Sequence, residues 1–469
     1  MVHFDPATLA GWCDGRWHGA TPDRVTGFCN DSRVIQAGQL YVAIRGERLD
    51  GHAFVADAQR RSACAALVDE EYAARASGEW PLLIVRDTRR ALIALAHGHR
   101  ARCRGEIVGI TGSVGKTSVK EMTADILSHL GRVTRTKGNW NNDIGLPLSL
   151  LRMDPEDRFG VFEVGMNHPG ELAPLCELLA PRWAVLTPIG PVHLEHFENV
   201  AAIAEEKAAL LASLPERGTA ILSTDDPWYE TLLSHVTSRI IRLSLRDPQA
   251  DYYGAWQKPG SNVLIVRERM TGESHPYLMP LPGQYVADNA LRAIALGREQ
   301  GLNADVIAHA LSQYQPLSMR WNKVTIAGMV FINDAYNANP MSMRAAIDAF
   351  QEMDEEGHRW LVLAGMFELG AVAQEEHEAL GRYLAQFPWA GLVTVGKLGR
   401  WIAEGATDAG LNETSRLEAC DDAAGAARYL RQHIEPGHKV LIKASRGEHL
   451  EHVLTEFEDL MAANNGVLL

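Results

Sequence analysis

The chain has 469 residues, with 45 Lys and Arg against 59 Asp and Glu, and a formal net charge of −14. At about 150 residues per domain the length points to roughly three domains, and 46% hydrophobic with 22% charged residues is the balance of a soluble globular protein, not a disordered one. The acidic balance excludes broad affinity for DNA or RNA, which depends on Lys and Arg neutralising phosphates. A small phosphorylated ligand is not excluded, because a single loop makes a local anion site.

No uncharged apolar run approaches the ~18 residues of a membrane span, so no membrane insertion is expected. Cys13, Cys29, Cys64, Cys103, Cys176 and Cys420 are scattered without a Cys-x-x-Cys pair, which fits reduced thiols with neither a disulfide frame nor a structural zinc site. The opening Met1-Val2-His3-Phe4-Asp5 lacks the basic and apolar regions of a secretory leader. A cytoplasmic protein is expected.

In chain order, Leu40-Tyr41-Val42-Ala43-Ile44, Ala65-Ala66-Leu67-Val68 and Leu82-Leu83-Ile84-Val85 are short apolar runs that read as strands of a small α/β unit. From about residue 106 strand, loop and helix alternate. Glu106-Ile107-Val108-Gly109-Ile110 is followed by a glycine-rich turn and by Val119, Met122, Ile126 and Leu130, spaced for one helix face. Further strands are expected at 160–163, 183–187 and 219–222, and the alternation implies a mainly parallel sheet covered by helices. Between about 239 and 281 the runs look like hairpins, and a helix follows from Ala287. A third α/β pattern begins near 320, with strands at 360–363, 391–395 and 439–442 and helices over 373–386 and 421–433. The expected domains are residues 1–103, 104–316 and 317–469.

The most informative segment is Gly109-Ile110-Thr111-Gly112-Ser113-Val114-Gly115-Lys116-Thr117-Ser118. It follows a strand and opens a helix, the context that gives a glycine loop its meaning. Gly112 and Gly115 let backbone N–H groups approach phosphate oxygens, the helix N-terminus adds partial positive charge, Lys116 reaches terminal phosphates and the Thr117 hydroxyl suits Mg²⁺. Ile110 replaces the first glycine of the full Walker spacing, so the pattern is the shorter Gly-x-x-Gly-Lys-Thr. A glycine turn without a ligand is the plainer alternative, and the flanking strand and helix favour nucleotide binding over it.

Glu163 ends an apolar strand, where ligands gather in an open parallel sheet; it is either a magnesium ligand or a solvated strand-end acid. His193-Leu194-Glu195-His196 follows the next strand, and the same tetrapeptide recurs as His449-Leu450-Glu451-His452. The second copy reads as the solvated face of a C-terminal helix. Neither copy has a further His or Cys at metal-site spacing. Lys207 by composition alone is an exposed helix lysine.

Together these residues resemble the Mur ligase family over nearly the whole chain. The signals occur in the family's order: Asp31-Ser32-Arg33, Asp50-Gly51-His52, the glycine loop, Asn139-Trp140-Asn141-Asn142, Glu163-Val164-Gly165, His193-Leu194-Glu195, Glu206-Lys207, Pro282-Gly283-Gln284, Asn289-Ala290-Leu291 and Asp334-Ala335-Tyr336-Asn337-Ala338-Asn339-Pro340. The last of these, followed by Ser342-Met343, resembles the branch that adds a dipeptide instead of a single amino acid.

The resemblance implies three α/β domains: a small N-terminal one, a central P-loop domain with a mainly parallel sheet, and a Rossmann-like C-terminal one that closes over the site. It implies ATP-dependent joining of D-alanyl-D-alanine to UDP-N-acetylmuramoyl-tripeptide in peptidoglycan precursor synthesis, by a monomer using ATP and Mg²⁺ at two sites. Lys116, with Gly112, Ser113, Val114, Gly115, Thr117 and Ser118, would hold the ATP phosphates. Asn289 would contact adenine, and Arg320 and Asp334 would meet the nucleotide on closure. Thr117 and Glu163 would hold one Mg²⁺ and His193 would help hold a second. Lys207 resembles a lysine that is carbamylated in family members, which reverses its plain reading. Lys116, His193 and Lys207 are thus the implied catalytic groups.

Asp31, Ser32, Arg33, Asp50, Gly51 and His52 would lie near the UDP end of the substrate. Asn139, Asn141 and Asn142 would line its path, and Tyr336, Asn337 and Asn339 would lie where the dipeptide docks. Three positions depart from the family's pattern: Val114 stands where many members have Asn, Gly365 where Asp is usual and Ala444 where Gly is common.

Other readings of the phosphate loop are a nucleotide-regulated binding protein, a small-molecule kinase and a Mur-type ligase acting on another carboxylate and amine. A guanine switch would want Asn-Lys-x-Asp, and Asn322-Lys323-Val324-Thr325 lacks the Asp. A kinase would leave the Asn-rich segment at 337–339 unexplained.

Overall fold

Three β-sheets follow one another along the chain in a computed structural model that describes residues 2–46, 49–258, 260–353, 358–411 and 415–465. The first has the strand order Arg16–His18, Leu82–Val85, Ala65–Asp69, Leu40–Val42, Phe28–Cys29; only the Arg16–His18 edge is antiparallel. The central three strands carry continuous apolar runs because both faces are covered.

The central sheet runs Ser274–Leu278, Val263–Glu268, Tyr252–Trp256, Arg239–Ser244, Thr219–Ser223, Trp183–Leu186, Glu106–Thr111, Phe159–Glu163, Val133–Arg135. It is parallel from Val133–Arg135 through to Tyr252–Trp256, and only the last two strands form antiparallel hairpins. The hairpin region expected from 239 therefore begins at Tyr252. Arg239–Ser244 alternates apolar residues like a hairpin strand, yet it pairs in parallel with Thr219–Ser223. The third sheet runs Asn322–Ile326, Met329–Asn333, Lys439–Lys443, Arg359–Leu363, Gly391–Val395, Arg416–Cys420, with one antiparallel pair at its edge.

The helix Thr88–Arg100 joins the first two sheets. Its Leu92 and Leu95 share one apolar cluster with Phe4 and Leu83 on one side and Ile107, Leu150 and Phe162 on the other, and Arg100 Nε donates to Leu179 O at 2.8 Å. The opposite face of the central sheet is covered by Lys116–Ser128, Gln284–Glu299 and Ala304–Ser312. Separate clusters coat the two faces of the third sheet.

The C-terminal copy of His-Leu-Glu-His departs from its expected place. His449 ends a 3₁₀ turn in the left-handed region (φ 49°), and the helix His452–Asn465 begins only at the last residue of the motif. Leu450 is buried, so this is a capping turn and not a helix face. Among the described residues no helix is long and apolar enough to cross a membrane.

Candidate active site

The carboxyl ends of Glu106–Thr111 and Phe159–Glu163 in the central sheet open onto one cavity of about 790 Å³, which loops following Met329–Asn333, Arg359–Leu363 and Lys439–Lys443 of the third sheet line from the other side. Carboxyl ends of parallel strands are where loops and helix N-termini converge, and ligands bind there.

The glycine loop turns into the helix Lys116–Ser128 through two left-handed glycines, Gly112 (φ 149°) and Gly115 (φ 85°). A Cβ on Gly112 would fall 1.9 Å from Thr187 Oγ1, and one on Gly115 would fall 2.3 Å from Asn289 Oδ1. The loop thus threads between the next strand and a buried asparagine, a path open to glycine alone. Asn289 touches the loop itself.

The Val114 N–H, expected to face a phosphate, is directed to Pro188 O at 3.4 Å, and Ser113 N–H donates to the same carbonyl at 2.9 Å. The strand-end carbonyl competes for these two amides. Gly115 begins the helix without a side-chain cap, so the first-turn amides of Lys116, Thr117 and Ser118 remain for an anion. Lys116 Nζ folds back to Gly112 O at 2.7 Å; burial lowers the pKa of its amine, with Glu163 pulling it up and Arg320 adding to the lowering.

Glu163 is buried, not solvated. Its Oε2 accepts from Thr117 Oγ1 at 2.9 Å and its Oε1 from Asn141 Nδ2 at 2.7 Å. The Asn141 loop is held by Lys120, a fully buried lysine that donates to Thr136 O at 2.9 Å and Gly138 O at 3.1 Å. Sequence reasoning missed Lys120, for which helical periodicity offers no signal. Asn139 and Asn142 line the cavity, but Asn142 Oδ1 also caps Gly145–Leu150 through Gly145 N–H at 2.8 Å.

Lys207, on the helix Val200–Ala212, is 2% exposed and lines the same cavity. It makes no hydrogen bond or ion pair among the described residues. Burial first, and then the nearby Lys116 charge, push its pKa well below that of an ordinary lysine. The exposed reading from composition is overturned because the helix turns this position toward the sheet.

His193 stands in the left-handed region (φ 54°) and its Nδ1 is hydrogen-bonded to Glu368, a third-domain residue the sequence did not single out. His196 instead packs its ring on His168, 4.2 Å between centroids. Among the described residues no group of three or more His, Cys, Asp or Glu side chains is placed to hold a metal ion alone.

On the third-domain side, the Arg320 guanidinium lies over the Tyr336 ring at 4.1 Å. Asp334 Oδ2 accepts from the buried Lys443 at 2.6 Å, and Lys443 also donates to Asn337 O at 3.0 Å. Asn339 lines the cavity but is chiefly a helix cap: its Oδ1 accepts from Ser342 N–H at 2.8 Å in a reciprocal capping box on Pro340–Gln351. At Gly365 a Cβ would fall 2.3 Å from Glu448 Oε1 and 2.7 Å from Leu398 Cδ1. Glu448 thus occupies the space a side chain at 365 would need.

Asp31, Ser32, Arg33, Asp50, Gly51 and His52 do not line this cavity. They form two 3₁₀ turns packed on the helix Val55–Arg60. Asp31 accepts from Arg33 Nη2 at 2.7 Å, Asp50 Oδ1 is 2.7 Å from His52 Nδ1, and Tyr41 donates to Gly51 O at 2.9 Å.

Three family models match in succession: "Mur ligase family, catalytic domain" over 24–100, "Mur ligase middle domain" over 110–297 and "Mur ligase, glutamate ligase domain" over 319–446. The UDP-N-acetylmuramoyl-tripeptide--D-alanyl-D-alanine ligase of Escherichia coli (strain K12) is 37% identical over 385 residues, covering 81% of this chain and 83% of that one. The chain belongs to the Mur ligase family. As a Mur ligase it is an ATP-dependent amide ligase. Its fold matches a crystal structure of MurF from Acinetobacter baumannii with TM-score 0.87 at 29% identity, covering 98% of this chain and 99% of that one. It also matches the MurF ligase of Thermotoga maritima in complex with ADP, with TM-score 0.79 at 26% identity over 93% and 98% of the two chains. The three-domain α/β architecture is that of these ligases.

Proposed function

We propose that this Mur ligase joins D-alanyl-D-alanine to UDP-N-acetylmuramoyl-tripeptide through an acyl phosphate, in peptidoglycan precursor synthesis. The observation that carries the reading is the shared cavity, in which the glycine loop, Glu163 and Lys207 face the third-domain loops, in a chain whose E. coli relative bears that activity in its name. Residues 1–103 are assigned to the UDP end of the substrate through the Asp31 and Asp50 turns. Residues 104–316 are assigned to ATP, and residues 317–469 to the amine and to closure. Action as a monomer belongs to the same reading, and the nucleotide substrates support a cytoplasmic location.

A carboxylate is a poor acyl donor because oxide is a very poor leaving group. In the first step a carboxylate oxygen of the tripeptide bonds to the γ-phosphorus of ATP and ADP departs. Lys116 and the first-turn amides hold the phosphates, and Asn289, which lines the cavity beside Gly115, contacts the adenine. In the second step the neutral amine of the dipeptide bonds to the acyl carbon, the acyl–oxygen bond breaks, and phosphate leaves with the proton that the nitrogen gives up. The developing oxyanion is stabilised by fixed positive charge on the cavity wall, and third-domain loops keep water from the acyl phosphate.

Glu163 and Thr117, 2.9 Å apart, are the hard oxygen donors that Mg²⁺ takes alongside phosphate and water. They would hold one ion, with His193 and a carbamylated Lys207 at a second. Bound there, Mg²⁺ supplies the charge that offsets repulsion between carboxylate and triphosphate. A lowered pKa supports the carbamate reading, since only the neutral amine attacks CO₂: the nitrogen lone pair forms the N–C bond and one proton leaves.

Phosphate release from ATP is expected only when UDP-N-acetylmuramoyl-tripeptide and D-alanyl-D-alanine are both present. Equal turnover with D-alanine in place of the dipeptide would overturn the dipeptide assignment and leave a Mur-type ligase for another amine.

A further inference from the structure

We infer that Arg446 binds the terminal carboxylate of the incoming dipeptide and so makes a free carboxylate a requirement for the amine substrate. The inference rests on the D-alanyl-D-alanine reading above and deepens it.

The Lys and Arg residues lining the cavity are Lys116, Lys207, Arg320, Lys443 and Arg446. The first two belong to the phosphate side. Lys116 is bonded to its own glycine loop, and Lys207 feels the Lys116 charge from the neighbouring helix. The Arg320 guanidinium, 4.1 Å from the Tyr336 ring centre, lies close enough to the phosphate side for its charge to act on Lys116, and Lys443 is buried with its ammonium on Asp334 and Asn337 O. Arg446 stands on the third-domain wall, in the turn that follows Lys439–Lys443. Its side chain is 48% exposed, and its polar contacts, a hydrogen bond to Glu451 and a 3.6 Å approach to Met319 Sδ, both use Nη1. The Nε and Nη2 edge has no partner among the described residues. A planar edge carrying two parallel N–H groups is the shape that takes a carboxylate with two hydrogen bonds.

The surrounding wall suits the rest of the dipeptide. The Ser445 hydroxyl accepts from Phe367 N–H at 2.9 Å and donates to Ala338 O at 3.3 Å, so one side chain ties together the three loops that follow the third-sheet strands. Phe367 is 41% exposed on the cavity wall and packs on Gly447, where a Cβ would fall 2.5 Å from Phe367 Cε2. An exposed ring beside a free guanidinium edge offers apolar surface for methyl groups next to a site for their carboxylate.

The test compares D-alanyl-D-alanine with its C-terminal amide in the phosphate-release assay. A charged hydrogen-bonded pair lost from one partner predicts that the wild type favours the free acid by roughly 10–100-fold in kcat/KM. Arg446→Ala should bring that ratio to within about twofold of one, chiefly through KM for the dipeptide, and Arg446→Lys should keep part of it. A merely structural role, acting through Glu451, would lower turnover of acid and amide alike and leave their ratio at the wild-type value; that result overturns the inference. So does a wild type that uses acid and amide equally, which needs no variant to fold. A wild type idle with both compounds overturns the dipeptide reading and this inference with it.

Discussion

His193 is hydrogen-bonded through Nδ1 to Glu368, a residue 175 positions later on the other side of the cavity. Both residues stand in the left-handed backbone region, φ 54° and 63°, and Glu195 N–H donates to Glu368 O at 3.1 Å. Such conformations cost ~1–3 kcal/mol each for non-glycine residues, so both loops are held by their surroundings. The hydrogen bond from His193 keeps the Glu368 carboxyl below its ordinary pKa. An ionised carboxylate accepts, so the His193 nitrogen facing Glu368 is the donor, and Nε2 is the ring nitrogen that points away from it.

A histidine that holds a metal ion through one ring nitrogen commonly donates the other N–H to a carboxylate, which fixes the ring's orientation. Glu368→Gln is therefore expected to raise the Mg²⁺ concentration for half-maximal phosphate release by about tenfold or more, in the range typical of lost outer-shell partners. Magnesium titration of the wild type and variant reads this directly. Coincident titration curves would show that His193 is oriented without Glu368.

Lys116→Ala should lower turnover by about 10²–10³-fold, the cost typical of removing one preorganised charge from the site of phosphoryl transfer. The buried amine has a lowered pKa, so the loss should appear in kcat while the thermal midpoint holds or rises. A near-normal rate would place the triphosphate elsewhere.

Legibility followed the range of the contacts involved. The strand, glycine loop and helix over 106–128 could be read because their signals are local and periodic. Thr117 and Glu163 were paired through the resemblance, yet Asn141, which completes that cluster, depends on a loop held by Lys120 from an adjacent helix. Lys443 meets Asp334 across 109 positions, a distance over which a pattern in one sequence carries no information. The helix Val200–Ala212 is apolar almost all round, so periodicity could not tell which side holds Lys207. Asp31, Asp50, Asn142 and Asn339 show the converse. Each caps a turn or helix, the commonest local use of Asp and Asn, and a motif match alone does not separate capping from ligand contact.

His377 fixes the loop that carries Phe367 and Glu368. Its Nε2 accepts from Met366 N–H at 2.8 Å and its Nδ1 donates to Ala373 O at 2.5 Å, an arrangement only the neutral ring satisfies. Burial lowers its pKa. Between that lowered value and the ordinary ~6.5, the unfolded chain binds more protons than the folded one, so stability rises with pH across the interval. The contribution is fully present above about pH 6.5 and is lost as pH falls toward the folded-state value, with a slope of at most about 1.4 kcal/mol for each pH unit crossed. In calorimetry from about pH 8 to about pH 5 the wild type should lose thermal stability faster than His377→Gln. Parallel curves would mean that protonation of His377 does not break the Met366 bond.

Lys207 offers a spectroscopic test alongside one read from turnover. Its amine is buried beside Lys116, and both facts favour the neutral form. A neutral amine adds CO₂, and the resulting carbamate is an anion that the neighbouring Lys116 charge stabilises, so the same surroundings that disfavour the ammonium favour the modified side chain. Wild-type protein in carbon-13 bicarbonate should therefore show a carbamate carbonyl resonance that Lys207→Ala lacks. Removing dissolved CO₂ should lower wild-type turnover and added bicarbonate should restore it, with no response in the variant. An identical resonance in both proteins would assign the carbamate to another amine, and a wild type indifferent to bicarbonate would leave Lys207 to act as the free amine.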